Sequence, residues 1–517
     1  MKSFNVTGVC VPEEYYMVDI SGKIGQIKQL VNRRSYFTIN KARQYGKSTT
    51  LNMLRRALSN EYICINLSFE GVGTTMFENS QSFCRRFLWQ LDIAAKKAGE
   101  KIEWKNDKVT DFDELGLHID QICADKKIVL MIDEVDKAGN YEVFLHFLGM
   151  LRDKFNERTN GLGATFHSVI LAGVYDIKNI KSKMMSEGKY TPSETEDKKE
   201  SSPWNIAVNF DVDMSFSPEE ISTMLKEYDS EHNTNMDIPA ISNEIYSHTG
   251  GYPFLVSKIC QCVDESPGGK WTAAGVQKAV KILLEEKNTL FDDMFKNLEN
   301  DKKLYDYIYE LLIMGDYKPY VIYDPIVNVG DRYGFFKKNG NGGVAISNRI
   351  FELLMTDYYI AKDLRDKKQI TGALGDILRN GSFDMELCLR KFAEHYAELY
   401  SREDIEFLER HGRLLFLSYL KPLINGLGFY HIESQLTDLR RMDITVDFGR
   451  EQFIIELKLW KGKKAEEKAY VQLLGYMENK KSDTGYLLIF DFRTEPNKKH
   501  TEEWVEIDGK RIFEVII

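Results

Sequence analysis

The stretch Lys41-Ala-Arg-Gln-Tyr-Gly-Lys-Ser-Thr-Thr50 decides the fold of the first half of this chain. A run that predicts a β-strand, residues 35–40, leads into it, and a run that predicts a helix, residues 49–58, follows it. A strand, a Gly-Lys-Ser turn and a helix in this order are typical of the phosphate-binding loop of a nucleoside triphosphatase. Backbone N–H groups at a helix N-terminus, next to a glycine that permits close approach, suit an anionic phosphate.

Each residue of this loop has a predicted role in binding ATP. Lys47 is expected to reach the β- and γ-phosphates, and the hydroxyl of Ser48 to ligate Mg²⁺. The remaining predicted ATP contacts come from the other residues of the loop: Arg43, Gln44, Tyr45, Gly46 and Thr49. Lys41 departs from the usual pattern, because a glycine normally stands five residues before Gly46. An ordinary strand-to-helix turn is therefore the alternative interpretation.

A second motif lies downstream in the order that a nucleotide site requires. The apolar run Lys127-Ile-Val-Leu-Met-Ile132 predicts a central parallel strand, and it ends in Asp133-Glu134-Val-Asp136. Carboxylates at the C-terminal end of such a strand lie where open α/β sheets bind ligands. We predict that Asp133 helps to hold Mg²⁺ and that Glu134 polarises the attacking water. A solvated acidic loop is the alternative, but the order of the two motifs favours ATP binding and turnover.

Length and composition bound the remaining possibilities. A chain of 517 residues predicts two to four domains. The sequence has no run of about 20 apolar residues and no apolar signal core at its N-terminus, so we expect a cytoplasmic protein without a membrane partner. The seven scattered cysteines are typical of a reduced intracellular protein. The net charge of −10 argues against bulk attraction to nucleic acid but permits a local basic groove.

Alternating strands and helices predict a doubly wound parallel sheet in an ATPase domain that spans residues 1–285. The predicted strands are residues 35–40, 62–69, 127–132 and 167–174. Residues 175–179 stand where a γ-phosphate sensor is expected, and the polar residues 184–202 predict a mobile loop or lid. Ser217-Pro-Glu-Glu220 reads as a capping box that opens a small helical subdomain.

Residues 286–368 change in character and predict a winged-helix segment. Helix 302–314, a short strand at 320–323, a hairpin within 331–346 and a helix at 348–354 follow one another. Such modules bind DNA or serve as rigid protein connectors, and both options stay open. Modest support for DNA binding comes from three basic residues, Lys337, Lys338 and Arg349.

Residues 369–517 predict a separate α/β domain with a second catalytic candidate. A strand with Asp443 and a strand with Glu456 and Lys458 form a predicted hairpin, in which Glu456 and Lys458 share one face. Two carboxylates make an oxygen-rich site for Mg²⁺ or Mn²⁺, and the lysine can position a nucleophile that attacks a phosphodiester. Gln472 and Tyr476 lie four apart on the following helix, where they can orient the site or touch the phosphate backbone.

This constellation predicts a nuclease site, with a structural ion pair as the alternative. Glu456 and Lys458 interrupt an otherwise apolar strand, where a carboxylate without a partner is costly. A basic cluster adds local attraction for phosphate: Lys458, Lys461, Lys463 and Lys464.

On these motifs, nearly the whole chain resembles a family of AAA-type ATPases of the archaeal or STAND-like kind that carry a C-terminal PD-(D/E)XK nuclease domain. The most diagnostic segments are residues 42–50, 132–136, 172–174, 202–206, 346–351 and Asp443 with residues 456–458. The resemblance implies a P-loop ATPase, a winged-helix segment and a metal-dependent nuclease fold. It also suggests a role in defence or in mobile genetic elements. The acidic residue that this family often carries on the first nuclease helix is not evident in 413–424, and Glu409 or Glu433 would have to substitute.

The sequence therefore predicts an ATP-regulated, Mg²⁺-dependent nuclease that acts on nucleic acid, with DNA preferred over RNA, and that forms a homo-oligomer. The rival hypothesis is an ATP-driven switch whose C-terminal fold binds nucleic acid or a protein without cleavage. The combination of Asp443, Glu456 and Lys458 favours the enzyme, because a pure binding module does not need a metal site.

Overall fold

The computed structural model describes most of the chain in two compact units. The described residues are 2–174, 204–266, 270–314, 316–366, 377–379, 382–399, 405–424, 428–433, 442–448, 451–493 and 501–517. For residues 363–366, 378, 379, 397–399, 405–411, 429, 431–433, 442 and 443, only the backbone is described. The first unit comprises Met1–Leu290 with Arg332–Gly334, and the second comprises Phe291–Asp331 with Phe335–Ile517.

A parallel sheet of four strands organises the first unit. Its strands are β1 (Tyr36–Asn40), β2 (Ile63–Ser68), β3 (Ile128–Asp133) and β4 (Ser168–Gly173), in the order β1-β4-β3-β2. All residues of β3 and β4 are buried, as expected for central strands covered on both faces. Beyond β1, Val208 forms an isolated parallel bridge with Phe37. The predicted α/β fold with a parallel sheet is confirmed.

Helices cover both faces of this sheet. They are α1 (Ser21–Asn32), α2 (Lys47–Leu58), α3 (Ser80–Lys97), α4 (Phe112–Cys123) and α5 (Glu142–Thr159). Short 3₁₀ helices stand at Thr74–Phe77 and Val135–Lys137. Fully buried aromatic rings of α3 and α5 pack together, with Phe87 and Phe147 4.9 Å apart between centroids. This packing fixes the position of the strands whose ends form the site.

The predicted helical subdomain follows in the same unit. Its helices are α6 (Pro218–His232), α7 (Ile238–Thr249), α8 (Pro253–Glu265) and α9 (Ala273–Glu285). Ser217 and Glu220 form both hydrogen bonds of the capping box at α6, as the sequence predicts. Gly250 ends α7 and Gly251 follows it, both with positive φ, and the chain turns directly into α8.

The second unit begins within α10 (Thr289–Asn300), at Phe291. It continues with α11 (Lys302–Tyr309), a π-helical turn at Glu310–Met314, α12 (Pro325–Arg332), β5 (Phe336–Lys338), β6 (Val344–Ile346) and α13 (Arg349–Asp366). The predicted hairpin is present as the antiparallel pair β5 and β6.

The strand predicted at 320–323 is wrong. Only Pro319 forms a bridge, with Gly343, and residues 322 and 323 lie in a turn before α12. Ile322 and Tyr323 are 61% and 92% exposed. Their β-branched and aromatic side chains favour a strand. Pairing ends at Tyr320, however, whose N–H donates to the carbonyl of Gly342, and propensity alone does not extend the strand beyond that point.

A mixed sheet of six strands organises the rest of the second unit. Its strands are β9 (Gly428–Glu433), β10 (Met442–Phe448), β11 (Glu451–Leu459), β12 (Thr484–Phe490), β13 (Thr501–Ile507) and β14 (Lys510–Ile516), in the order β13-β14-β12-β11-β10-β9. The two-residue strands β7 (Leu378–Arg379) and β8 (Ser382–Phe383) pair, and α14 (Met385–Leu399) and α15 (Ile405–Ile424) precede the sheet. Helix α16 (Lys463–Asn479) packs against β11 and β12.

Two predictions fall on residues outside the described ones. These are the γ-phosphate sensor at 175–179 and the lid at 184–202. Among the helices that are described, none is long and apolar enough to cross a membrane.

Candidate functional sites

The phosphate loop connects β1 to α2, and its backbone shows which positions need glycine. Gly46 precedes α2 with φ 76°, and Gln44 also lies in the left-handed region, with φ 54°. Lys41 does not lie in the left-handed region. Its backbone N–H donates to the carbonyl of Gly173, 3.2 Å away, so Lys41 extends the pairing of β1 with β4. The departure from the usual glycine is thereby explained, since position 41 continues a strand that any residue can adopt.

Lys47 is folded beneath this loop. The residue is only 7% exposed, and its Nζ donates to the carbonyls of Lys41 and Ala42, each 3.0 Å away. Burial lowers the pKa of the Lys47 ammonium, and the nearby carboxylate of Glu134 opposes that shift. A buried ammonium with replaceable carbonyl partners is suited to an anionic phosphate.

The ends of α2 and β3 bring the two predicted Mg²⁺ ligands together. Ser48 Oγ donates a hydrogen bond to Asp133 Oδ2, and Asp133 is buried. The other carboxylate oxygen, Oδ1, accepts the backbone N–H of Glu134 at 2.9 Å. A hydroxyl and a carboxylate are the hard oxygen donors that Mg²⁺ prefers, so the residues fit this ion.

Glu134 is held in an unusual conformation beside this pair. Its φ of 53° lies in the left-handed region, which is strained for a residue with a side chain. Burial raises the pKa of the Glu134 carboxyl, and the charge of Lys47 works against that rise. A half-buried carboxylate with a raised pKa is suited to act as a general base.

Asp136 has a structural role that sequence reasoning missed. Its Oδ2 accepts the backbone N–H of Val174 at 2.6 Å, so it links the turn after β3 to the end of β4. A Cβ atom at Gly173 would lie 2.9 Å from both carboxylate oxygens, so a side chain there would displace the carboxylate of Asp136. The signal in the sequence was the third acid of Asp133-Glu-Val-Asp136 together with the glycine that ends the next strand.

Other residues of the loop fix its shape through contacts with neighbouring elements of the same unit. Tyr252 donates its hydroxyl to the carbonyl of Arg43, and the rings of Tyr45 and Tyr252 meet edge to face, 4.5 Å apart. Gln44 Nε2 donates to Thr289 Oγ1 at 3.0 Å. These contacts place the predicted ATP-binding residues together around one loop.

Thr49 faces a cavity of about 300 Å³ beside the phosphate loop. The N-terminal segment closes one side, where the backbone N–H of Cys10 donates to Thr49 Oγ1 at 3.1 Å. The rest of the wall is largely apolar and includes Val18, Ile27, Met214, Phe216 and Phe254. A mostly apolar cavity next to a phosphate site has the character that a nucleoside needs.

In the second unit, the strand register brings the predicted nuclease residues together. Asp443 of β10 is directly opposite Glu456 of β11, and it is also opposite Glu433 of β9. Glu456 is 1% exposed, and Lys458 Nζ lies 2.5 Å from its Oε1. The structure describes the backbones of Asp443 and Glu433 but not their side chains. The predicted metal site therefore stays a prediction.

Gln472 lies on α16, which packs against the face of β11 that carries Glu456. Its Oε1 atom is buried and has no hydrogen-bond partner among the described residues. A buried amide oxygen without a partner is costly, so this atom is available to a ligand. In the described part of the chain, no group of three His, Cys, Asp or Glu residues could hold a metal ion.

Arg349, one of the three basic residues that supported DNA binding, is already paired. Its Nη1 lies 2.7 Å from Glu352 Oε1, and the side chain of Arg349 is only 10% exposed. This arginine therefore contributes to packing at the start of α13, while Lys337 and Lys338 stay exposed.

Residues 14–267 match the family model of an AAA-like domain, so this part of the chain is an AAA-like P-loop ATPase domain. An uncharacterized WD repeat-containing protein of Synechocystis sp. is 24% identical over 234 residues. That match covers 43% of this chain and 18% of the other protein, so the chain spans less than a fifth of that relative.

The similar solved structures share little sequence identity with this chain. A Walker-type ATPase of Pyrococcus abyssi is 11% identical with a TM-score of 0.48, over 68% of this chain and 99% of that one. The ORC2 protein of Aeropyrum pernix is 11% identical with a TM-score of 0.32, over 68% and 96% of the two chains. The RuvB branch migration motor of Thermotoga maritima is 10% identical with a TM-score of 0.33, over 63% and 92%. All three TM-scores lie below 0.5.

Proposed function

We propose that this chain binds and hydrolyses ATP through its N-terminal unit and uses that cycle to control a metal-dependent nuclease in its C-terminal unit. The observation that carries the first half is the direct contact of Ser48 with Asp133, beside Glu134. Lys47 would bind the β- and γ-phosphates, Ser48 and Asp133 would hold Mg²⁺, and Glu134 would polarise water. Bound Mg²⁺ would neutralise phosphate charge.

The test of this half compares ATP binding and ATP hydrolysis in the parent protein, Lys47→Ala and Glu134→Gln. Lys47→Ala is expected to weaken ATP binding by about tenfold or more, because it removes the charged donor to phosphate. Glu134→Gln is expected to keep ATP binding and to lower turnover by about 100-fold or more, the usual effect of losing a general base. Unchanged turnover in Glu134→Gln would show that Glu134 is not the base.

Two features support the nuclease half. The first is the register that sets Asp443 opposite Glu456, with Lys458 two residues further along the same face. The second is the nearly complete burial of Glu456, since a buried charge needs compensation from a partner or a metal. Asp443 and Glu456 would hold Mg²⁺ or Mn²⁺, Lys458 would position the nucleophile, and Gln472 would orient the site.

The rival proposal is an ATP-driven switch whose C-terminal fold binds nucleic acid or a protein without cleavage. The contact between Lys458 and Glu456 favours it, because the same 2.5 Å approach also describes a structural ion pair. Assembly into a homo-oligomer, the preference for DNA and a role in defence or mobile elements belong to the proposal and rest on the resemblance of the motifs.

One assay separates the two proposals. DNA and RNA strands, single and double, are incubated with Mg²⁺ or Mn²⁺, with and without ATP. Cleavage that is lost in Glu456→Ala but kept in Glu506→Ala, an exposed glutamate on β13, would support the nuclease. ATP hydrolysis without any cleavage under all conditions would favour the switch.

A further inference from the structure

An arginine is fixed at the carboxyl edge of the C-terminal sheet. The parallel strands β11 and β12 end together, with Leu459 paired to Phe490 and the N–H of Trp460 donating to the carbonyl of Phe490 at 2.9 Å. Asp491 and Arg493 follow directly. The same edge therefore carries Trp460 from one strand and Arg493 from its neighbour.

Asp491 determines the orientation of Arg493. Asp491 is 1% exposed, and its carboxylate accepts two hydrogen bonds from Arg493, one from Nε at 2.9 Å and one from Nη2 at 2.6 Å. The backbone N–H of Arg493 also donates to Asp491 Oδ1, at 3.0 Å. Such a bidentate pair holds the guanidinium in one plane, so little side-chain freedom is left to lose when a ligand binds.

The guanidinium then stacks on an aromatic ring. Its central carbon lies 4.7 Å from the centroid of the Trp460 ring. The side chain of Arg493 is nevertheless 40% exposed, and Nη1 makes no hydrogen bond to another described residue. Asp491 and Trp460 together therefore hold Arg493 in a fixed position, partly exposed to solvent, with donors on Nη1 that no other described residue uses.

This arginine lies beside the predicted nuclease residues. Glu456 and Lys458 of β11 and Trp460, directly after it, stand at every second position. Since Trp460 still bonds to the end of β12, the three side chains lie on one face of the sheet. Exposure rises along this row from 1% for the side chain of Glu456 to 15% for that of Lys458, and Trp460 is partly exposed at the edge. Trp460 and Arg493 therefore stand at the solvent-exposed end of the row that begins with the buried Glu456.

The surrounding charge favours an anionic ligand. Three exposed lysines follow Trp460 within four residues, Lys461, Lys463 and Lys464. Asp491 and Glu466 carry negative charge near Arg493, and they stabilise its charged form. Asp491 offsets part of the charge of Arg493. This arginine therefore contributes mainly directed hydrogen-bond donors, and the three lysines supply the electrostatic attraction for an anion.

We propose that Arg493, held by Asp491 and stacked on Trp460, binds a phosphate of the nucleic-acid strand that enters the C-terminal site. This inference rests on the proposed function, since it assigns a substrate contact to the same site. A planar guanidinium with free donors matches the oxygens of a phosphodiester, which a lysine meets only as a point charge.

The test measures binding of labelled oligonucleotides, single and double stranded, by fluorescence anisotropy. The parent is the full chain with Glu456→Gln, in which cleavage is suppressed. Arg493→Gln is expected to weaken strand binding by about tenfold, the effect of losing a charge-assisted hydrogen bond. It is also expected to lower the slope of log affinity against log salt concentration by about one.

Arg511→Gln is the matched control. Arg511 also stacks on a tryptophan, 4.4 Å from the Trp504 ring, but it stands at the amino end of β14. Since β14 is parallel to β12, this is the opposite edge of the sheet, and the control should bind strands like the parent. Arg493→Lys should give an intermediate loss, because it keeps the charge without the planar fork.

Folding effects are separated by a second variant. Arg493→Gln leaves the buried Asp491 carboxylate without this partner, so the double variant Asp491→Asn with Arg493→Gln removes both charges together. Both variants should show the same weakening.

Parent-like binding in both, with binding by the parent intact, would overturn the role of Arg493 alone. If the parent binds no strand at all, the nucleic-acid half of the proposed function fails as well. Displacement of the strand by an excess of inorganic phosphate, at the ionic strength of a chloride control, would assign the site to free phosphate instead.

Discussion

At the scale of single residues, the candidate ATP site combines two carboxylates in different environments. Asp133 accepts hydrogen bonds from Ser48 Oγ and from the N–H of Glu134, and both bonds stabilise a charged acceptor. Glu134 is half-buried in a strained conformation, and burial raises its pKa. One carboxylate is thus suited to a metal and its neighbour to proton transfer.

The raised pKa of Glu134 predicts how stability depends on pH. A carboxyl group whose pKa is higher in the folded state than in the unfolded state stabilises the fold while it is protonated. This contribution is fully present below the unfolded pKa, near 4.5, and is lost as pH rises through the folded pKa. We therefore expect Glu134→Gln to be more stable than the parent at pH 8, with a difference that shrinks as pH falls toward 4.5. Urea unfolding across this range measures it.

Glu13→Gln is a control in which the expected change in stability at high pH has the opposite sign. The hydrogen bond of Glu13 to Arg56 lowers the pKa of the Glu13 carboxyl, so its contribution is present above the unfolded pKa and lost as pH falls. Glu13→Gln should therefore lose stability at pH 8. A Glu134→Gln variant that loses stability in the same way would contradict the burial of Glu134 as the cause.

Asp136 is expected to stabilise the end of β4. Asp136→Ala removes the acceptor for the N–H of Val174 and should cost about 1–3 kcal/mol in free energy of unfolding. Asp136→Asn should cost less, because the amide keeps one acceptor oxygen. Urea denaturation measures both variants, with Asp125→Ala as the control at an exposed position whose side chain is 77% exposed. Equal effects of Asp136→Ala and Asp125→Ala would contradict this role.

At the scale of elements, local patterns predicted most of the helices and strands around the ATP site. The strand before the phosphate loop, the helix after it and the capping box at Ser217 are all observed. Each depends on residues close in sequence. The strand predicted at 320–323 is wrong because pairing with the neighbouring segment ends at Tyr320 and the chain then turns, which local propensity does not reveal.

The substitution Gly251→Ala tests whether the turn into α8 requires glycine. A Cβ atom there would lie 2.0 Å from the carbonyl oxygen of Phe216, and the φ of Gly251 is 74°. We expect Gly251→Ala to lower the free energy of unfolding by at least about 2 kcal/mol, through the clash and the backbone strain. Midpoints of urea unfolding give the measurement.

Gly25 is the matched control for this substitution. It lies on the exposed side of α1, where a Cβ atom would meet nothing within 4 Å. Gly25→Ala should gain about 0.5–1 kcal/mol, because alanine loses less conformational entropy in a helix. A loss of stability in both variants would show that the turn at Gly251 is not specifically constrained.

At the scale of the whole molecule, two units carry the two proposed activities. Each contains its own buried cluster of apolar residues. Calorimetry should therefore show at least two unfolding transitions, and ATP with Mg²⁺ should raise the transition of Met1–Leu290. A ligand at 100 times its Kd stabilises the unit that binds it by about 2.7 kcal/mol.

Lys47→Ala supplies the control for that experiment. The variant should show a clearly smaller rise in unfolding temperature with ATP than the parent, since its affinity falls about tenfold or more when the phosphate contact is lost. An ATP-dependent shift of equal size in Lys47→Ala would mean that nucleotide binds elsewhere.

The sequence by itself determined the phosphate loop, the acidic end of β3 and the alternation of strands and helices, because these depend on residues close along the chain. It also identified Glu456 and Lys458 as unusual on an apolar strand. Only the tertiary structure decided that Ser48 meets Asp133, 85 positions away, and that Asp136 holds Val174. It also showed that Arg493 stacks on Trp460. Contacts of this kind arise from the order and register of strands in a sheet, and local periodicity carries no information about which strands become neighbours.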